Sequence, residues 1–177
     1  MISKIEKDKF SILKGRITNK SYNTTIKKLT LVGENYFVQI IPAKLVAGTN
    51  HLFFALEQTF SSFENETAFT KKPIFEFLVR VLAKKQLNKA IKDVEFSNDE
   101  NLVLIIKSTS KKEIEKIKNE LNFEEKEFEF GNSLGGNKKE LMAFFGVSKN
   151  ELEALSDLKN PLEEAIIERV AFVTLEK

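Results

Sequence analysis

Apolar residues recur at helical spacing in two stretches near the middle of the chain. The first predicts a helix over residues 50–63, with Thr49 or Asn50 as its capping residue. The second follows Pro73, which suits a first helical turn because its missing N–H would have no partner there. Its apolar stripe runs to Leu82, and this pattern predicts a second amphipathic helix.

Runs of β-branched, aromatic and other apolar residues predict strands over 10–17, 36–41 and 102–107, and alternation near 126–130 indicates one more. Further helices are expected where a capping residue precedes helical spacing. These helices are 110–121 after Ser110 with Glu113, a short one from Asn137 to Gly146, one after Ser148 with Glu151, and 161–173 after Asn160. The pattern predicts a single α+β (mixed α/β) domain over residues 1–177, with a small sheet packed by several helices.

Composition narrows the functional classes. Hydrophobic residues make up 42% of the 177 residues, enough for a core, and there is no cysteine, so a disulfide scaffold or a Cys nucleophile is not expected. The start of the chain, MISKIEKDKF, has no apolar segment typical of a secretory signal, and the longest apolar runs are too short to span a membrane. We therefore expect a cytoplasmic protein.

Positive charge is concentrated in residues 71–92, which carry seven Lys and Arg against one acid. Within this stretch the apolar rhythm breaks near Ala83–Lys85 and resumes at Leu87 about two residues out of step, which predicts two helices with a tight break. A helix beginning near Lys85 would present unpaired N–H groups beside several lysines, an arrangement that binds phosphate. A helical corner with solvated lysines fits the same residues equally well.

Two segments resemble a known family. VQIIPAKLVAGTNHLFFALEQTF (38–60) is similar to its strand, loop and apolar helix, and PIFEFLVRVLAKKQLNKAI (73–91) is similar to the segment that follows. The family is the small kinase-binding subunit of the KEOPS complex, also called the PRPK-binding or TPRKB-like family, and the resemblance is good over residues 36–91. The family's Ser-Gly at the break appears here as Leu82-Ala83, and its Arg as Lys85.

The resemblance implies a non-catalytic subunit without a cofactor, a metal site or a small-molecule substrate of its own. Family members bind the atypical small kinase/ATPase of the complex, which makes threonylcarbamoyl-adenosine in tRNA, and archaeal-type members also hold the single-stranded CCA end of tRNA. We therefore expect the kinase and tRNA as partners and no membrane association. The expected RNA-binding residues are Lys71, Lys72, Arg80, Lys84, Lys85, Gln86, Lys89 and His51.

The kinase-binding surface should be apolar. Its candidates, some of which must instead belong to the core, are Leu141, Phe144, Phe145, Leu152, Leu155, Ile166, Val170 and Val173. Two other functions stay open from the sequence: a generic RNA-binding domain without the kinase partner, and a small-molecule-binding protein or enzyme of an α/β type.

Overall fold

A computed structural model describes residues 9–17, 37–96, 100–130 and 138–175. The chain divides into two compact units. The sheet unit comprises the described parts of Glu6–Ala43 and Val94–Phe128, and the helical unit those of Lys44–Asp93 and Glu129–Lys177. A single domain over residues 1–177 stays a prediction.

Four strands and seven α-helices occur in the described residues. In chain order they are β1 (Ser11–Ile17), β2 (Val38–Pro42), a 3-10 turn (Ala43–Leu45), α1 (Thr49–Glu64), α2 (Pro73–Val81), α3 (Leu87–Asp93), β3 (Leu102–Ile106), α4 (Lys111–Leu121), β4 (Phe123–Glu125), α5 (Lys138–Phe145), α6 (Lys149–Ala154) and α7 (Pro161–Leu175). The α+β prediction is confirmed, because the helices accompany a sheet whose strand pairs are all antiparallel.

The sheet unit is built around β3. The strand order is β2-β3-β1-β4, and every residue of β3 is buried. Alternate β3 side chains, Leu102, Leu104 and Ile106, share one core with Ile117 and Leu121 of α4. The side chains on one face of α4 and those on one face of β3 therefore pack together in a single apolar layer.

The fourth strand lies earlier than the sequence pattern indicated. Alternation near 126–130 predicted it, whereas the structure has a short strand at Phe123–Glu125. Beyond this strand the backbone makes one more bond to β1, from the Lys126 N–H to the Lys14 carbonyl at 2.9 Å. The Lys14 ammonium then donates to the Phe128 carbonyl at 2.7 Å, and the Phe128 side chain is buried. A side-chain bond thus takes the place of the expected ladder.

In the helical unit, α1 packs against α2 and α7. A second apolar cluster joins α5 to α7 around Leu141, Phe145, Val147, Ala165 and Ile166. None of the described helices is both long enough and apolar enough to cross a membrane.

Of the predicted helix caps, the one of α1 is wrong, Ser110 stands at the predicted position without its capping bond, and Ser148 is confirmed. The capping residue of α1 is Gly48 rather than Thr49 or Asn50, and it supplies no side-chain bond. Ser110 precedes α4 without a side-chain bond, because Glu113 instead accepts from the Ser108 hydroxyl at 2.5 Å. The reciprocal bonds of Ser148 with Glu151 are both present at the start of α6. Asn137, a further predicted cap, lies outside the described residues.

A tight turn separates α2 from α3, as the broken apolar rhythm predicted. The N–H of Ala83 donates to the Arg80 carbonyl and that of Lys84 to the Val79 carbonyl, both at 2.9 Å, which is the Schellman pattern of a helix end. Ala83 occupies the left-handed position of this motif, with φ of +49°. The following helix begins at Leu87 and not near Lys85, so the amide of Lys84 belongs to the turn and is not an open anion-binding group.

We expect Ala83→Gly to stabilise the protein. A Cβ in the left-handed region costs roughly 1–2 kcal/mol, and the greater freedom of glycine in the unfolded chain offsets part of the gain, leaving up to about 1 kcal/mol in the free energy of unfolding. Urea denaturation measures this change.

Ala143→Gly is the matched control, since Ala143 is exposed within α5. There the same replacement should lower the free energy of unfolding by about 1 kcal/mol. A loss of stability at both positions would contradict the strain assigned to Ala83.

Candidate nucleic-acid interface

A pocket of about 380 Å³ lies beside the start of α2 and the α2–α3 turn. We call it the basic pocket. Its lining combines aromatic and aliphatic side chains with three lysines and consists of Phe69, Thr70, Lys71, Lys72, Phe75, Val79, Lys85 and Leu87. The three lysines, all exposed, come from either end of α2 and bring positive charge to a surface that is otherwise largely apolar.

The loop that carries one side of the basic pocket is held by a buried carboxylate. Glu76 Oε2 accepts from the backbone N–H groups of Phe69 and Thr70, at 2.8 and 2.9 Å. Its Oε1 accepts from Arg80 Nε at 3.0 Å and from the Ser62 hydroxyl at 3.3 Å. Because Glu76 and Arg80 are both fully buried, this pair belongs to the interior of the helical unit.

The guanidinium of Arg80 also lies over the ring of Phe69, with 4.9 Å between Cζ and the ring centroid. This distance is within the range of a cation–π interaction. Arg80 was expected to bind RNA directly, but its side chain has no solvent exposure and is engaged with Glu76. Its contact with the lining of the basic pocket is made to Phe69.

Lys84 and Lys85 are adjacent in sequence but face different neighbours. Lys85 lines the basic pocket. Lys84 lies 3.9 Å from the Asp93 carboxylate and 4.5 Å from the centroid of the Phe144 ring. The turn at Ala83 therefore separates the two charges that the sequence placed side by side.

The structure brings together part of the predicted RNA-binding set. Lys71, Lys72 and Lys85 converge on the basic pocket, and Lys84, Gln86 and Lys89 are not among its lining residues. Gln86 and Lys89 are exposed near the start of α3, where they stay predictions. The sequence reasoning missed Phe69 and Phe75, although the segment FTKKPIF places one aromatic residue on each side of the lysine pair.

His51, also expected to contact RNA, is instead part of the interior. Its Nδ1 accepts from the Ala47 N–H at 3.3 Å, which places the proton on Nε2 for donation to the Val81 carbonyl at 2.8 Å. The ring is fully buried and meets Phe145 edge to face at 5.6 Å. Burial lowers the pKa of His51 to about 4, so the imidazole is neutral at physiological pH.

The start of α1 is capped from another helix. The His51 N–H donates to Glu163 Oε1 of α7 at 3.0 Å, which satisfies one of the open amides of the first turn. Gly48 makes this approach possible, because a Cβ at that position would come within 2.3 Å of the Glu163 carboxylate. Within LVAGTNH, Gly48 and His51 thus serve the packing of α1 against α7.

Most of the predicted kinase-binding residues lie in the core. The buried ones are Leu141, Phe145, Ile166, Val170 and Val173, and a role for them at an interface stays a prediction. Phe144, Leu152 and Leu155 are half-buried against the α5–α7 cluster. Among the described residues, the large apolar side chains that are exposed are Leu158 and Phe172, at 45% and 54% of their surface.

A comparison with protein families identifies one match. A family model described as kinase binding protein CGI-121 matches residues 16–174, nearly the whole chain. A search of curated proteins gave no significant match. In the part of the chain that the structure describes, no three His, Asp or Glu side chains are grouped so that they could hold a metal ion.

The buried His51 predicts that stability falls in mild acid. Its pKa is about 4 in the folded protein and 6.5 in the unfolded chain, so the unfolded state binds the additional proton between these values. The free energy of unfolding should fall by about 2 kcal/mol between pH 7 and pH 5 from this group. Urea unfolding at both pH values measures the change.

His51→Gln is the control, since a glutamine amide can still donate to the Val81 carbonyl but does not titrate. The variant should lose most of the pH dependence between pH 7 and pH 5. An equally steep fall in the variant would show that other groups cause it.

Proposed function

Because the chain belongs to the kinase binding protein CGI-121 family, we propose that it is a non-catalytic, cytoplasmic subunit of a KEOPS-type complex. In this role it binds the small atypical kinase/ATPase and holds the single-stranded CCA end of tRNA for threonylcarbamoyl-adenosine modification. The observation that carries the RNA part is the basic pocket, in which three lysines and two phenylalanines meet. Family membership carries the kinase part and confirms the resemblance drawn from residues 36–91.

The chemistry of the basic pocket suits a single-stranded RNA end. Lysine ammonium groups bind phosphates, and the faces of Phe69 and Phe75 offer stacking surfaces for bases. A base inside a duplex is already stacked on its neighbours, whereas an unpaired terminal base is free to enter a pocket. The combination of lysines and aromatic faces therefore favours the single-stranded end of an RNA over an RNA duplex.

The lining also weighs against the alternatives. It holds three lysines and no acidic residue, an arrangement that favours an anionic ligand and supplies no pair of carboxylates for acid–base chemistry. A generic RNA-binding domain would use the same pocket, and binding of the kinase separates that function from the proposed one.

For the kinase we propose a surface centred on Phe172 of α7. Interfaces are enriched in aromatic residues, and the ring of Phe172 is exposed over 54% of its surface and so is accessible to a partner. Phe172 lies between Val170 and Val173, the predicted interface residues that the structure assigns to the core. The partner-binding face of α7 is therefore rotated relative to the one expected from the apolar pattern.

Neutralising Lys85 should weaken RNA binding. If the basic pocket engages roughly three phosphates, the slope of log K against log salt is near −2, and Lys85→Gln should reduce its magnitude by about 0.7. At physiological salt the affinity should fall roughly threefold to tenfold. Fluorescence anisotropy with a short single-stranded RNA ending in CCA measures both quantities.

Lys84→Gln provides a control with the same change of charge at the next residue. Since Lys84 lies by Asp93 and Phe144, we expect its affinity to change by less than about twofold, with screening by salt limiting its long-range effect. Equal losses in the two variants would show that net charge, and not the basic pocket, binds the RNA.

Phe172→Ala should weaken binding of the cognate kinase by about tenfold or more, because an aromatic residue at the centre of an interface contributes strongly. Isothermal titration calorimetry with the purified kinase measures the affinity. Leu158→Ala removes the other large apolar side chain that is exposed among the described residues, before the start of α7, and should have little effect. A larger loss for Leu158→Ala than for Phe172→Ala would place the interface elsewhere.

A further inference from the structure

The hydrogen bonds that the structure shows for the Glu76 carboxylate all go to the loop that lines the basic pocket or to the helices α1 and α2 beside it. One oxygen holds the amides of Phe69 and Thr70, and the other holds Arg80 and the Ser62 hydroxyl. The two amides immediately precede Lys71 and Lys72, and the Thr70 hydroxyl donates to the Lys72 carbonyl at 3.0 Å. A single buried group therefore fixes the backbone from which one aromatic ring and two lysines extend.

Stability alone is a weak explanation for this pair. Glu76 and Arg80 have no solvent exposure, and removing two charges from water costs as much as their attraction commonly returns. A pair of well-packed apolar side chains of similar size would stabilise a helix as well or better. An apolar pair, however, would not hold the two loop amides or place a cation over an aromatic ring.

The position of Arg80 relative to Phe69 indicates what the pair accomplishes. The guanidinium is linked to Glu76 by a 2.9 Å contact and lies 4.9 Å from the Phe69 centroid. The ring is therefore supported by a group that is itself fixed, while Phe69 also lines the basic pocket and is half-buried. A ring held in this way loses little freedom when a base stacks on it.

We propose that Glu76 and Arg80 are positioning residues that pre-organise Phe69 as the stacking wall for the terminal base of a single-stranded RNA. This proposal rests on the proposed function. It assigns recognition of the base to the wall that Arg80 supports, and recognition of the phosphates to the three lysines. Two separate contributions to binding follow, one dependent on the base and one dependent on salt.

The test compares two RNA probes, a short single strand ending in CCA and the same strand without its terminal base. For Arg80→Met we expect roughly a fivefold to tenfold loss of affinity for the complete strand and an unchanged salt slope, because the lysines remain. The abasic strand should bind the variant and the wild type equally. A disturbed fold would instead weaken binding of both probes.

Phe69→Leu and the double variant complete the cycle. If Arg80 acts through Phe69, Phe69→Leu with Arg80→Met should bind no more weakly than Phe69→Leu alone. Arg80→Met leaves the Glu76 carboxylate buried without its charge partner, so the double change Glu76→Gln with Arg80→Met is the variant to use if the single one fails to fold. It removes both charges and should show the same base-dependent loss.

Two results for Arg80→Met would overturn the proposal: the variant binds the complete strand as the wild type does, or, with its fold intact, it loses affinity equally for both probes. These results differ from a failure of the proposed function, in which the wild type itself would bind neither probe at physiological salt. Wild-type binding that needs the lysines but not the terminal base would overturn the stacking wall and leave the phosphate site intact.

Discussion

The carboxylate of Glu76 is the buried charge on which the arrangement of the basic pocket depends. An ionised group without solvent contact must be surrounded by donors, and here the donors are two loop amides, a hydroxyl and a guanidinium. These contacts bind α1, the loop after it and α2 into one arrangement. Because the loop backbone is fixed in this way, the positions of Lys71 and Lys72 are set by the backbone and not by contacts between their side chains.

The turn between α2 and α3 decides which charges act together. A Schellman motif reverses the chain within a few residues, so consecutive side chains leave it in different directions. Lys84 is directed to Asp93 and Phe144, while Lys85 lines the basic pocket. Counting charges along residues 71–92 therefore overestimates the charge available at one surface.

The sequence predicted element types well and burial poorly. Strands with long apolar runs and helices with a clear apolar period were predicted correctly. Their apolar residues face one neighbouring layer of the fold, and this contact alone sets the pattern in the sequence. In α1, small and polar residues are also buried, among them Thr59 through a bond to the Ala55 carbonyl of its own helix and Ser62 through a bond to Glu76. Such bonds depend on tertiary neighbours, and periodicity carries no information about them.

The same limit explains why the burial of two candidate residues was not predicted. Arg80 and His51 carry polar groups that composition assigns to the surface, and each is buried beside a specific partner, Glu76 or the Val81 carbonyl. Phe69 and Phe75 were overlooked because an aromatic residue in a sequence usually indicates core.

The residues that carry the family resemblance include buried residues that hold the helical unit together and part of the lining of the basic pocket. In LVAGTNH, Gly48 leaves space for Glu163, and His51 joins the start of α1 to α7 and to the end of α2. Each is buried, so a substitution there costs folding energy whatever the partner. Half of the residues that line the basic pocket, Phe69 to Lys72, lie between the two resembling segments, and the other half, Phe75, Val79, Lys85 and Leu87, lie in the second one. The first resembling segment therefore identifies the scaffold, whereas the second contributes to both the scaffold and the pocket, and the ligand must be inferred from the chemistry of the lining.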